Sequence, residues 1–201
     1  MAVGWAFDGT DWYYADGSGA LASGWRSVNG AWYWLDIAND NRMVTGFFSI
    51  GSNRYHFSST GALSLGWFMS DGDWYYAEPS NASGIVKTGW LKDGSQYYYL
   101  DPAVDGKMLL GHFSVNGKSY YAKGSGAVAC REWVDVQDSV QDGPSKAFAG
   151  SDCSLCGTLR NGKLFTSNGD GELVEARGFV TLGGCIFYAD PTNGSLSVGW
   201  Q

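Results

Sequence analysis

The sequence has little charge and few of the residues from which catalytic and metal sites are built. Only 16% of its 201 residues are charged and only two are histidine. No apolar stretch approaches the roughly 20 residues a membrane-crossing helix needs, which excludes insertion into a bilayer by that route. The thirteen basic residues are scattered from Arg26 to Arg177 under a net charge of −7. No basic stripe is therefore available to hold a phosphate backbone or an anionic membrane surface, and nucleic acid is excluded as a partner. The four cysteines, Cys130, Cys153, Cys156 and Cys185, all fall in the last third, so they cannot staple the whole chain. The opening Met1-Ala2-Val3-Gly4-Trp5 lacks the basic and apolar regions of a signal peptide, and the chain reads as a segment of something longer.

What the chain has instead is aromatic side chains and glycine. Aromatics make up 16%, as much as all charged residues, with 10 Trp, 12 Tyr and 30 Gly, and the 44% hydrophobic fraction argues for a folded chain. A Gly-aromatic pair recurs as Gly4-Trp5, Gly24-Trp25, Gly46-Phe47, Gly66-Trp67 and Gly89-Trp90, continues at Gly111-His112, and resumes as Gly157-Thr158, Gly178-Phe179 and Gly199-Trp200. A second aromatic cluster follows each of the first pairs at a fixed offset: Trp12-Tyr13-Tyr14, Trp32-Tyr33-Trp34, Tyr55-His56-Phe57, Trp74-Tyr75-Tyr76, Tyr97-Tyr98-Tyr99 and Tyr120-Tyr121.

Between pair and cluster lie Asp8-Gly9, Asn29-Gly30, Asp71-Gly72, Asp93-Gly94 and Asn116-Gly117, dipeptides that tolerate positive φ in two-residue hairpin turns. Each unit therefore reads as a β-hairpin and a returning loop such as Gly19-Ala20-Leu21 or Gly61-Ala62-Leu63. No stretch holds a 3.6-residue period, so helix content should be close to nil. A lone hairpin is marginal in water and buries its apolar faces by stacking. The expected fold is all-β, a solenoid or superhelix of stacked β-hairpin repeats of about 20 residues. Strand alternation puts Trp74 and Tyr76 on one face and Tyr75 and Ala77 on the other, one face lining the stack and the other the grooves between units.

Eight of the ten Trp and eleven of the twelve Tyr precede residue 122, which locates function in the first part. Three segments are expected: aromatic-rich hairpin repeats over 4–130, an irregular Cys-containing insert over 131–156, which holds Trp133, Pro144 and Phe148, and degenerate repeats over 157–201.

The pattern Gly-Trp, turn, Trp-Tyr-Tyr, Gly-Ala-Leu resembles the choline-binding, cell-wall-binding repeats of Gram-positive surface proteins, whose grammar the glucan-binding and clostridial-toxin repeats share. The resemblance implies a left-handed superhelix that holds choline of teichoic acid between consecutive units. The walls would be the Gly-Trp tryptophan and first cluster aromatic of one unit and a cluster tyrosine of the next, a slot that Trp34 fills in the second unit. Carried over unit by unit, the cages are Trp67, Trp74 and Tyr99; Trp5, Trp12 and Trp34; Trp90, Tyr97 and Tyr121; and Trp25 and Trp32, with His56 as a poorer third wall because a protonated imidazole repels a cation. The chemistry is readable without the family: a quaternary ammonium donates no classical hydrogen bond and is held by ring faces worth about 0.5–2 kcal/mol each.

Arg54 stands in the first cluster position beside Phe47 and should exclude choline from that junction. Beyond residue 112 the slots hold His112, Ser119, Leu164 and Ile186, which form no cage, while Met43 and Met108 stand where the family often places a thioether wall, and packing of a loop residue on the neighbouring hairpin accounts for them equally well. His56 and His112 substitute for repeat aromatics and belong to no triad, and acidic residues such as those of Asp71-Gly72-Asp73 and Asn168-Gly169-Asp170-Gly171 sit in turns, so no enzyme is expected.

No metal or cofactor is expected either. Cys153 and Cys156 make one Cys-x-x-Cys pair where zinc commonly uses two, and one or two disulfides of unspecified connectivity are the favoured reading. The expected function is a secreted, cell-surface module that binds choline of the bacterial cell wall and anchors an attached domain. The alternative is a carbohydrate-binding module for glucans or host glycans. Self-association is left open.

Overall fold

The structure is a computed structural model that describes residues 3–136, 145–167 and 173–197. Pro144, the Asn168-Gly169-Asp170-Gly171 turn and the Gly199-Trp200 pair lie outside the described residues. Among those described, regular structure is strand, with single 3-10 turns at Ile37–Asn39, Ser80–Ala82 and Pro102–Val104. The all-β expectation is met. No helix among them is long and apolar enough to cross a membrane.

The aromatic-rich part is a succession of hairpins, each opening on the glycine of a Gly-aromatic pair. The first joins Gly4–Phe7 to Trp12–Ala15, the second Gly24–Val28 to Ala31–Asp36 and the third Gly46–Ile50 to Asn53–Phe57. The fourth joins Gly66–Ser70 to Asp73–Ala77, the fifth Gly89–Asp93 to Gln96–Asp101 and the sixth Gly111–Val115 to Lys118–Ala122. Short strands Arg42–Met43 and Lys107–Met108 add to the second and fifth.

The opening glycine is required by backbone rather than by space. At Gly46, Gly66 and Gly111 φ is +71 to +72°, and a Cβ there would meet nothing within 4 Å. An L-residue would be strained in that conformation.

The turns follow the sequence signal at three of the five expected dipeptides. Asn29-Gly30, Asp71-Gly72 and Asn116-Gly117 have positive φ at both residues, the geometry whose twist matches paired strands. Two differ. The first hairpin closes at Phe7↔Trp12, so its loop spans Asp8 to Asp11, with Asp8 Oδ1 accepting from the amides of Thr10 and Asp11 at 2.8 Å. The fifth turns at Gly94-Ser95, because Asp93 is still in its strand.

Residues 131–156, which fit the repeat badly, contain two regular strands, Glu132–Val136 and Ser145–Ala149, paired from Glu132↔Ala149 to Val136↔Ser145. The first follows Arg131 rather than a glycine, which hides it from a search for Gly-aromatic pairs. They join Leu155–Arg160, Lys163–Ser167 and Leu173–Glu175 in a five-stranded antiparallel sheet, and a last hairpin pairs Gly178–Leu182 with Cys185–Ala189. The chain divides into two compact units, 1–91 with 100–108 and 92–99 with 109–201, and the fifth hairpin contributes residues to both.

Within the first unit, register explains the packing. In the second hairpin Trp25 lies opposite Trp34 and Ser27 opposite Trp32, while Arg26 lies opposite Tyr33. Alternation therefore puts Trp25, Trp32 and Trp34 on one face and Arg26 and Tyr33 on the other. The third hairpin repeats this, with Phe47 opposite His56 and Phe48 opposite Tyr55. The forward face of one hairpin meets the backward face of the next: Trp34 packs with Phe48, Tyr55 and Phe57 in a cluster that also takes in Val44, Leu63 and Ile85. Phe57 and Leu35 are wholly buried, and burying a side chain of this size stabilises by about 1.5–3 kcal/mol. Returning loops tie successive hairpins through the backbone, the Leu63 amide donating to the Trp32 carbonyl at 2.7 Å and the Val86 amide to that of Arg54 at 2.8 Å.

Candidate functional site

Among the described residues of the first unit, slots at two successive junctions are built the same way. The first, of about 370 Å³, is lined by Trp5 and Trp12 of the first hairpin, Tyr33 and Met43 of the second repeat, and Ser59 and Thr60 of the third. The second, of about 380 Å³, is lined by Trp25 and Trp32, then Tyr55, then Asn81, Ala82 and Ser83. Each slot thus takes a tryptophan pair from one hairpin, a tyrosine from the next, and a loop from the one after. Both volumes sit at the small end of ligand pockets.

The rings stand as walls rather than as a floor. Tyr33 meets Trp5 at 4.7 Å and 66°; Tyr55 meets Trp25 at 5.2 Å and 72°; Trp25 meets Trp32 at 6.3 Å and 84°. Trp12, Trp25 and Trp32 keep 37–44% of their surface exposed, a costly display for tryptophan in a chain able to bury it.

The third wall differs from the residue expected from sequence. Trp34 and His56 share a face with their own hairpin's tryptophan or phenylalanine and point forward, to the next junction, so neither closes the slot behind it. The second cluster residue, on the opposite face, does so: Tyr33 and Tyr55. Tyr75 likewise faces back onto Phe47 at 4.9 Å, within the junction between the third and fourth hairpins. His56 stacks on Phe68 at 4.4 Å, with Nδ1 2.8 Å from Ser64 Oγ. Burial pushes its imidazole below the ordinary value of 6.5, with Asp71 opposing.

The third junction carries its own cation. The Arg54 guanidinium lies 5.3 Å over the Phe47 ring, held by Ser49 Oγ and by Asp105 Oδ2, each at 3.2 Å. Asp105 comes from the returning loop two repeats on, the position from which Ser59-Thr60 and Asn81-Ala82-Ser83 line the other slots.

The remaining candidates divide between the units. Trp67 and Trp74 share a face of the fourth hairpin, Trp67 lying 5.3 Å from Tyr76 and Trp74 42% exposed. Tyr99 belongs to the second unit, where it stacks on Phe113 at 5.3 Å. Trp90 and Tyr97 are exposed, and Lys92 Nζ stands 5.6 Å over Tyr97. Tyr121 packs against the cluster of Ala129, Val134, Ala147 and Ala149. Met43 lines the first slot and packs against Gly61 of the next returning loop, while Met108 is buried opposite Leu100.

Sequence reading missed Tyr33, Tyr55 and the loop residues. The signal for the tyrosines was present in the alternation, since a residue on the face opposite the tryptophans must meet the preceding hairpin. Nothing local marks the loops, which arrive from two repeats away.

The cysteines pair in part: Cys130 and Cys153 form a disulfide, leaving Cys156 and Cys185 as thiols. Among the described residues no group of three or more His, Cys, Asp or Glu could hold a metal ion.

Hairpins in succession with steeply inclined aromatic walls between them define a class of repeat-built β domains. Residues 3–21, 23–36, 45–63, 66–80 and 88–103 match the family described as putative cell wall binding repeat, so the first half of the chain is built of repeats of that choline-binding type. It is similar to choline binding protein F of Streptococcus pneumoniae, at 34% identity and a TM-score of 0.64 over 77% of this chain and 47% of that one. The same protein in the presence of a peptidoglycan analogue, a tetrasaccharide-pentapeptide, matches at 35% identity and 0.64 over 77% and 46%. This chain therefore spans somewhat under half the length of those relatives. The choline-binding domain of CbpL from Streptococcus pneumoniae shares the fold at 24% identity and a TM-score of 0.59 over 100% of both chains. No curated protein matches the sequence.

Proposed function

We propose that this chain is a non-catalytic cell-wall-binding module, a solenoid of stacked hairpins that recognises the quaternary ammonium of choline on teichoic acid and anchors an attached domain at the bacterial surface. The observation that carries the reading is the repeated slot: Trp5, Trp12 and Tyr33, then Trp25, Trp32 and Tyr55, with ring planes 66–84° apart for Trp5–Tyr33, Trp25–Tyr55 and Trp25–Trp32. Three ring faces at about 0.5–2 kcal/mol each suit a small cation that must be surrounded rather than hydrogen-bonded. The repeat type and the choline-binding relatives support the same ligand.

The glycan reading draws on the hydroxyl and amide groups of Ser59, Thr60, Asn81 and Ser83 at the slots. It is second because a sugar face stacks on a flat platform, and these walls are steeply inclined to one another. Trp67, Trp74, Trp90, Tyr97, Tyr99 and Tyr121 belong to the same proposal as further ring-bearing positions, and Arg54 closes the third junction. Retention on a resin bearing tertiary or quaternary amines tests it. Since the chain carries a net charge of −7, the informative result is elution by choline chloride at an ionic strength at which sodium chloride leaves the protein bound. Equal elution by both salts would reduce the interaction to ion exchange.

A further inference from the structure

The two thiols left over in the second unit pack against one buried cluster, and the Cys156 sulfur reaches the turn that leads into Cys185. Cys156 stands in the strand Leu155–Arg160 and pairs with Phe148 at a bulge; Cys185 opens the last strand and pairs with Leu182 across the Gly183-Gly184 turn. Phe148 and Leu182 belong to one buried cluster with Leu164, Ala176 and Ala189, and both cysteines pack against it half-buried.

Two glycines bring the segments together. A Cβ on Gly183 would fall 2.5 Å from the Gly150 Cα and 2.7 Å from the Cys156 Sγ, so the loop before Cys156 and the turn before Cys185 touch through bare backbone. The Ser151 amide donates to the Gly183 carbonyl at 2.7 Å and fixes that contact. The Cys130–Cys153 bridge sits in a different cluster, with Tyr120, Ala122 and Val128.

We infer that Cys156 and Cys185 are a redox site, a dithiol that closes to a second disulfide when a low-molecular-weight disulfide accepts its electrons. The Cys185 thiolate attacks one sulfur of the oxidant, forming a mixed disulfide and expelling one thiolate. Cys156 then loses its proton to solvent and attacks the Cys185 sulfur, expelling the second thiolate. Two cysteine thiols and one external disulfide become one protein disulfide and two external thiols, with two electrons passed to the oxidant. Burial pushes the Cys156 thiol up, helped by Asp152 and by Cys185 itself, so bridge formation should quicken as pH rises and more thiolate is present. The bridge would tie the five-stranded sheet to the last hairpin.

The test uses the full chain and glutathione disulfide as the probe. Alkylation after denaturation, with peptide mass mapping, should give two modified cysteines before oxidation, Cys156 and Cys185, and none afterwards. A Cys156–Cys185 peptide lighter by two hydrogens should then appear, and dithiothreitol should reverse it. A chain isolated in air with that link already made gives the same answer. Stable glutathione adducts on either cysteine, thiols that persist through oxidation, or a Cys153–Cys156 link would each overturn the inference. Cys156→Ser supplies the control, since Cys185 should then stop at the mixed disulfide.

Discussion

Replacing Tyr33 by leucine removes one wall of the first slot and keeps apolar bulk at the junction. In the structure that ring lies 4.7 Å from Trp5, whereas Trp34, the residue the bare repeat pattern points to, lies 5.3 Å from Trp25 on the forward face. A ring face is worth about 0.5–2 kcal/mol to a caged ammonium, so Tyr33→Leu should weaken choline at that slot by about 2- to 30-fold at 1.4 kcal/mol per decade. The second slot should be unaffected, because it is walled by Tyr55. Tryptophan fluorescence reads both, since Trp5 and Trp12 line one slot and Trp25 and Trp32 the other. A tryptophan-to-phenylalanine change in either pair assigns the signal. If Tyr33→Leu leaves the titration unchanged while Trp34→Leu abolishes the first-slot response, the two-face account of the hairpins is wrong.

The same architecture fixes three further outcomes. Arg54→Trp exchanges the built-in cation over Phe47 for a ring, and calorimetry should count one more choline per chain. An unchanged count would mean that the guanidinium is not what fills that junction. Tyr75→Ala truncates a buried ring packed on Phe47 and Phe68, and should cost about 3–5 kcal/mol in denaturant unfolding. His56 has a folded-state pKa below its ordinary 6.5, so the unfolded chain binds the proton more readily. Its share of stability is therefore complete above about pH 6.5 and is lost as pH falls from there toward the folded value. Thermal unfolding from pH 7.5 to 5 should show a decline that His56→Phe flattens, and parallel profiles for both chains would contradict it.

Much of this is legible in the sequence alone. The Gly-aromatic pairs and the Asn-Gly and Asp-Gly turns locate the hairpins because each signal is local: one glycine forced to positive φ, one dipeptide suited to a tight turn. The tryptophan pairs of the slots could be named for the same reason, as they sit on one hairpin. The third wall needed a second step, from which face a residue occupies to which neighbour that face meets, and the family pattern alone led to Trp34 and His56 in place of Tyr33 and Tyr55. Asp105 over the third junction and Ser59-Thr60 at the first slot were beyond reach, since a contact across two repeats leaves no trace in either segment. The strands at Glu132–Val136 and Ser145–Ala149 escaped because they begin without the glycine that announces the others.

The central claim is that these slots are cation cages. Calorimetric titration of the chain with choline, with tetramethylammonium and with an isomalto-oligosaccharide, at one ionic strength, tests it most directly. The cage account predicts weak saturable binding, near the millimolar range that about −4 kcal/mol per site implies, for both ammonium ions, each competing with the other, and none for the sugar. Saturable heat with the sugar and none with either ammonium ion at several times that concentration would contradict it.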